Sequence, residues 1–360
     1  MANSPTLDLT VDGVQLTEDL VNIESVSGDE QAIADAVETA LRTLSHLDVQ
    51  RVGNTVVART DRGRPERVVI AGHLDTVPLN ANLPARRDEA RLHGLGACDM
   101  KGGVAVALRI AAGLPDANRD LTFLFYDCEE VEAERNGLYQ LAKCDPALLE
   151  ADFAILMEPS DGLVEAGCQG SLRVDVTSRG ERAHSARSWM GHNAIHAAAE
   201  VLARLNAYEP RRPVIDGLEY HEGLNAVFVS GGVAGNVLPD RCTVSVNYRF
   251  APDRSVEEAR AHVQEVFEGF EVEVRDAAPA AMPGLSVPAA AAFVEAVGGV
   301  VKPKFGWTDV ARFSALGIPA VNFGPGDPHL AHKQDEFVPV DQIVSVERAV
   351  RTWLGEDGAR

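Results

Sequence analysis

Residues 67–75 read RVVIAGHLD, an apolar run that ends on His73 and carries a carboxylate, Asp75, two residues later. A short run of this kind, rich in β-branched residues, reads as a buried strand. The pattern recurs twice. DLTFLFYDCEE (120–130) ends on Glu129 and Glu130, and ADFAILMEP (151–159) ends on Glu158 before a proline that stops regular structure. MKGGVAVALRIAAGL (100–114) and NGLYQLAKC (136–144) read as the intervening helices. Strands alternating with helices specify an α/β layer on a mostly parallel central sheet. In such sheets ligands gather at the carboxyl ends of the strands, where His73, Glu129 and Glu158 stand.

Upstream, residues 17–46 read as two helices interrupted at Ser27-Gly28, and VQRVGNTVVART (49–60) as a hairpin turning at Gly53-Asn54. From about Gly170 the texture changes. SLRVDVTSRG (171–180), NAVFVSGGVAG (225–235) and RCTVSVNYRF (241–250) alternate apolar and polar residues, as half-exposed antiparallel strands do. Helices at about 193–206 and 255–268 interleave with them. Residues 170–282 are therefore expected to form an inserted α+β domain, a four-stranded antiparallel sheet with two helices, and DAAPAAMPG (276–284) reads as the linker back. Helices at about 288–297, 309–316 and 341–355 and a strand in IPAVNFGP (318–325) complete a discontinuous first domain, 1–169 and 283–360.

With 360 residues and 46% hydrophobic content, the chain can bury the cores of two domains. A net charge of −21 argues against nucleic acid and anionic membranes, which need clustered Lys and Arg. No apolar stretch approaches the ~20 residues that span a bilayer, and the N-terminus lacks the basic and apolar blocks of a secretory signal. Five scattered cysteines without CxxC spacing indicate neither a disulfide framework nor a thiolate zinc site. The expected compartment is a reducing cytoplasm.

Each polar residue has a plain structural explanation when taken alone. His73 and Asp75 could lie on a solvated loop, Asp99 in GACDMKGG could cap the following helix, Glu129-Glu130 could be a surface turn, and Glu158 could merely end a strand. In the Gly/Pro-rich loop GPGDPHLAHKQDE (324–336), His329 and His332 are rivals. Asp127, Glu132 and Glu134 read as solvated charges. The conjunction points elsewhere, because several imidazoles and carboxylates gathered at buried strand ends demand a shared positive charge. Two imidazoles and three carboxylates would give each of two zinc ions one histidine and one terminal carboxylate, the third carboxylate bridging. One acid is then left as general base. Asp75, on the same side of an extended chain as His73, would take its other ring N–H.

Over nearly its whole length the chain resembles the dinuclear zinc aminoacylase and carboxypeptidase family, through the stretches quoted above. The resemblance implies that His73 and Glu158 bind one zinc, Glu130 and His332 the other, and that Asp99 bridges them. It makes Asp75 the residue that orients His73 and Glu129 the general base, and it allows Co2+ to substitute for zinc. RAHSARSWMGHNAIH (182–196) resembles the lid segment whose histidine stabilises the oxyanion in a partner subunit's site, which assigns His184 over the nearby His192 and His196. GGVAGNVLPDRCTVSVNYRF (231–250) resembles the lid motif that contacts substrate through Asn236 and Arg249, with Ser171 and Thr308 as weaker contacts. A homodimer joined through the lid is implied, and the substrate is a small acyl-amino acid. EAGCQGSLRV (165–174) and GPGDPHLAHKQDE are most like members that remove the succinyl group of N-succinyl-LL-2,6-diaminopimelate, with deacetylation or dipeptide cleavage as alternatives. A non-catalytic scaffold and a thiol hydrolase using Cys98 or Cys128 are the rival classes. Two departures stand out: Cys168-Gln169 occupies a position where one branch of the family has arginines, and Leu95 replaces the usual arginine.

Overall fold

A computed structural model of the chain describes residues 5–355. The chain divides into two compact units, one comprising the chain up to Ala166, Gly284–Lys302 and the chain from Arg312 on, the other Gly167–Pro283 with Pro303–Ala311.

The first unit is built on the central sheet. Strands Asp120–Tyr126, Arg67–His73, Phe153–Leu156 and Ala320–Asn322 lie side by side and parallel. The first three are buried almost along their whole length, so their sequences run apolar rather than alternating. The hairpin Asp48–Val52 and Thr55–Arg59 extends one edge antiparallel, and Val164–Ala166 with Val301–Pro303 extends the other, giving eight strands. These last two strands have three residues each, too few for a periodic signal, and the sequence reading misses them. It also misses a small sheet formed by Arg86–Arg87, Arg91–His93 and Phe337–Pro339.

Helix Gly102–Gly113 lies on strands Arg67–His73 and Asp120–Tyr126 and packs against helices Gly13–Val21 and Val340–Trp353. Its opening glycines are required by that packing. A methyl group on Gly103 would overlap the Met157 carbonyl, so only glycine lets the helix start come this close to the chain leading to Glu158. The first helix begins at Gly13, earlier than expected, because Asp12 accepts the Gln15 N–H at 2.8 Å and caps it there.

The second unit has a four-stranded antiparallel sheet in the order Gly223–Gly231, Arg241–Phe250, Gly170–Arg179, Glu271–Ala278. Helices Ala194–Asn206 and Val256–Val266 bury Ala198, Val201 and Val263 against Leu172, Val174, Val244 and Val246. Ser255 and Glu258 form a reciprocal capping box that starts the second of these helices. Two expectations need correction. The supposed linker at 276–284 begins inside the fourth strand, where EVEVRDAA pairs with Gly170–Arg179. Residues 303–311, expected with the first domain, group with the second unit: the Gln169 N–H donates to the Lys304 carbonyl at 3.3 Å, Trp307 Nε1 to the Pro279 carbonyl at 3.0 Å, and His221 stacks on Phe305. Such long-range pairing leaves no trace in local composition. Among the described residues no helix is long and apolar enough to cross a membrane.

Candidate metal centre

Three strand ends and two loops of the first unit bring the sequence-marked residues together. His73 ends its strand, Glu129-Glu130 and Glu158 follow theirs closely, Asp99 precedes helix Gly102–Gly113, and His332 lies on the loop before strand Phe337–Pro339. Asp99 is the shared member. Its Oδ1 lies 3.1 Å from His73 Nε2 and its Oδ2 3.5 Å from His332 Nε2, so one oxygen faces each imidazole. His332 Nε2 is also 2.8 Å from Glu130 Oε1. Donor atoms of His73, Asp99 and Glu158 lie within 4.8 Å of one another, as do those of Asp99, Glu130 and His332 and those of His73, Glu129 and Glu130. The first two sets share Asp99, an arrangement that fits two cations with a bridging carboxylate.

The electrostatics carry the same demand for positive charge. Burial pushes the His73 imidazole down, but the Asp75 and Asp99 carboxylates outweigh it and hold the ring well above the ordinary histidine range. Hydrogen bonds to Asp99 and Glu130 push His332 up to about 10. Burial raises the Asp99 carboxyl, yet His332 and His73 pull it far below the usual carboxylate range. Protons on the imidazoles thus balance the surrounding carboxylates, and divalent cations would take over that role as they bind.

Asp75 does more than the sequence assigns to it. His73 Nδ1 donates to the Asp75 backbone carbonyl at 3.0 Å, with the nearer carboxylate oxygen at 3.5 Å. The backbone carbonyl therefore shares the expected task of fixing the ring with Nε2 free for a metal. The carboxylate is instead engaged with the neighbouring loop. It accepts the N–H groups of Glu129 at 2.9 Å and Glu130 at 3.0 Å, and the Ser27 hydroxyl at 2.7 Å.

Three supporting residues went unmarked. Glu336, buried, accepts the Cys98 and Asp99 N–H groups at 2.9 and 3.0 Å and so holds the turn that presents Asp99. Lys101, also buried, donates to the Ile23 carbonyl at 2.7 Å. Ser27 ties the first interhelical break to Asp75. Glu336 stands inside the quoted run GPGDPHLAHKQDE and Ser27 in the helix break, but nothing local distinguishes them from solvated residues. Asp127, read as a solvated charge, in fact accepts the Thr55 hydroxyl at 2.8 Å and is partly buried.

The remaining marked residues belong to the second unit. His184 caps the short helix Ser185–Met190, its Nδ1 accepting the Ala186 N–H at 3.0 Å. In the neutral ring this puts the hydrogen on Nε2, so His184 presents an outward-facing donor. Asn236 is exposed, and its carbonyl accepts the Ser185 N–H at 2.9 Å. Ser171 and Arg249 are cross-strand partners, so their side chains share one face of the sheet. Thr308 is buried, and its hydroxyl has no hydrogen-bond partner among the described residues. Cys168 and Gln169 are both buried: the Cys168 thiol meets the Thr308 carbonyl at 3.8 Å, and Gln169 Nε2 donates to the His221 carbonyl at 2.7 Å. Both side chains are thus engaged in contacts within the unit.

Comparison with known proteins places the chain in a family. Residues 69–355 match peptidase family M20/M25/M40. The chain is 56% identical over 352 residues to the protein DapE of Mycobacterium tuberculosis, covering 97% of this chain and 99% of the relative. It is 48% identical over 363 residues to the succinyl-diaminopimelate desuccinylase of Corynebacterium glutamicum, covering 98% of each. In fold it is similar to a tripeptidase from Staphylococcus aureus, with a TM-score of 0.78 at 21% identity over 97% of this chain and 98% of the other.

Proposed function

The chain belongs to peptidase family M20/M25/M40, and on that premise we propose that it hydrolyses the amide of N-succinyl-LL-2,6-diaminopimelate to succinate and LL-2,6-diaminopimelate, in lysine and diaminopimelate biosynthesis. The observation that carries the reaction type is the pair of donor sets sharing Asp99. The substrate rests on the near-full-length likeness to the Corynebacterium glutamicum desuccinylase.

In this reading His73 and Glu158 would hold one zinc, Glu130 and His332 the other, with Asp99 shared between them, and cobalt would be able to substitute. Two imidazoles and three carboxylates at a largely buried site are the donor chemistry that zinc takes. When bound, the metal pair supplies Lewis acidity and a water acidified toward neutrality. Glu129 takes the proton of the attacking water and delivers it to the leaving amine nitrogen. His184 of the partner subunit donates from Nε2 to the carbonyl oxygen as negative charge develops there. Arg249, whose guanidinium is partly withdrawn from water, reads a substrate carboxylate together with Ser171, Asn236 and Thr308. The unbonded Thr308 hydroxyl supports a polar contact at that position.

The proposed homodimer is supported by the edge strand Gly223–Gly231. Val227, Phe228 and Val229 on it are 59%, 65% and 57% exposed, an apolar sheet edge that invites a second copy.

A single assay panel tests the substrate. Zinc-loaded protein is expected to turn over succinyl-diaminopimelate and to leave acetylornithine and dipeptides nearly untouched. Exclusive turnover of acetylornithine would replace the substrate while keeping the reaction type.

A further inference from the structure

The antiparallel sheet of the second unit packs one face on its helices through Leu172, Val174, Val244 and Val246. Ser171, Arg173, Asp175, Asn247 and Arg249 alternate with these residues and share the opposite, polar face. Toward one end of that face the charges are paired. Arg275 donates to Asp175 at 2.7 Å and to Glu273 at 2.7 Å, and Arg179 donates to Glu271 at 2.6 Å. Toward the end that carries Ser171 the pairing stops. The side chains of Arg173, Arg249 and Asp276 make no hydrogen bond and no ion pair with the described residues.

These three residues are neighbours. Arg173 stands opposite Asn247 on one flanking strand and opposite Asp276 on the other. Arg249 is its diagonal neighbour, about 7–8 Å away between Cα atoms. Asn247 Nδ2 donates to the Ser171 hydroxyl at 3.4 Å and so ties the two rungs together. Burial pulls the half-buried Arg249 guanidinium below its ordinary range and the Asp276 charge opposes that, which puts this carboxylate within electrostatic reach of it. Two adjacent guanidinium groups repel, and one withdrawn from water without a bond is costly. In a chain of net charge −21 carboxylates are plentiful, yet none closes on this pair. Cations with a lone carboxylate beside them suit a ligand that brings more than one carboxylate together with an ammonium group.

We propose that Arg173 and Asp276 form the subsite for the amino-acid group at the end of the substrate remote from the amide, Arg173 taking its carboxylate and Asp276 its ammonium. This rests on the reading of the substrate as succinyl-diaminopimelate and deepens it. Three methylene groups separate the carbon beside the amide from the remote amino-acid carbon, so one carboxylate at Arg249 and the other at Arg173 occupy neighbouring rungs of the same face. Acetylornithine ends in a bare ammonium group and would leave Arg173 without an anion. The pair therefore selects for the remote carboxylate by the cost of leaving its own charges unmatched.

Zinc-loaded protein is assayed with N-succinyl-LL-2,6-diaminopimelate and with Nα-succinyl-L-lysine, which lacks only the remote carboxylate. Arg173→Gln is expected to lower kcat/KM for the full substrate ~10–10²-fold, mostly through KM, with the loss confined to that substrate. Arg173→Lys should recover part of it. Asp276→Asn should cost the full substrate a similar factor and spare N-succinyl-L-2-aminopimelate, which lacks the remote ammonium. Arg179→Gln removes a paired arginine from the same face and is expected to change neither rate. An Arg173→Gln protein that loses nothing, that loses equally on both succinyl compounds, or that is matched by Arg179→Gln overturns the subsite while the substrate stands. A parent protein that cleaves acetylornithine and neither succinyl compound overturns the substrate, and the subsite with it.

Discussion

The Asp75 carboxylate accepts the backbone N–H of Glu129 at 2.9 Å through Oδ1, while its Oδ2 takes that of Glu130 at 3.0 Å. One buried side chain thus sets the position of both the proposed base and a proposed metal ligand. Asp75→Ala leaves two amides without acceptors and frees the loop. Turnover is expected to fall at least ~10²-fold, the usual penalty for ångström-scale misplacement, and metal bound through Glu130 should be lost first. Asp75→Asn, with one acceptor oxygen instead of two, should fall between. Steady-state kinetics with metal analysis decides; an alanine variant with normal kcat would reduce Asp75 to a packing role.

Glu129→Gln keeps the size of the side chain and removes the proton acceptor. It is expected to bind the same amount of metal and to lose at least ~10³-fold in kcat, about 4 kcal/mol of barrier. Near-normal turnover by the metal-replete variant would take the base role from Glu129.

Chelation is expected to abolish turnover and lower the thermal midpoint, and added zinc or cobalt to restore both, because a ligand bound only by the folded state at ~1,000 times its Kd contributes about 4 kcal/mol. His332→Ala should retain one ion per chain in place of two. If calorimetry and metal analysis find no difference between chelated and loaded protein, the centre is not a metal site.

Phe228→Asp places a charge in the middle of the exposed apolar edge strand. Sedimentation velocity is expected to show a dimer for the parent protein and a monomer for this variant, with the fold of each unit intact by circular dichroism. A variant that stays dimeric moves the interface elsewhere.

Asp120 supplies a pH-dependent part of the stability. Burial raises its carboxyl, but the N–H groups of Arg62 and Arg64, at 2.7 and 2.9 Å, and the Arg67 charge outweigh it, so its folded pKa lies below the ordinary value. The contribution is therefore complete above the unfolded pKa of about 3.9 and is lost as pH falls through the lower folded value. Asp120→Ala is expected to cost ~1–3 kcal/mol at pH 7, with the gap from the parent protein narrowing in urea unfolding at pH 3. An equal gap at both pH values would show that packing, not charge, is lost.

The strand-ending runs around His73, Glu129-Glu130 and Glu158 were legible in the sequence because a fully buried strand must be continuously apolar, and a polar residue at its end is conspicuous. The same logic made the α/β layer, the inserted antiparallel unit and every member of the donor sets around Asp99 readable, His332 included once the family resemblance had chosen between the loop histidines. Residues that act through hydrogen bonds to distant parts of the chain were not readable. Glu336 beneath Asp99, Ser27 against Asp75 and Glu30 beside Cys128 look like ordinary polar residues, and their roles come from groups 48 to 237 positions away. The same holds for Cys168-Gln169, conspicuous as a departure in sequence and fully engaged by Thr308 and His221 in the structure. Side-chain type and periodicity are local and survive in one dimension, so the sequence determined the layer architecture and the donor inventory. Which carboxylate faces an imidazole, which faces a loop amide and which is left without an ion pair depends on long-range chain closure, and only the tertiary structure decided it.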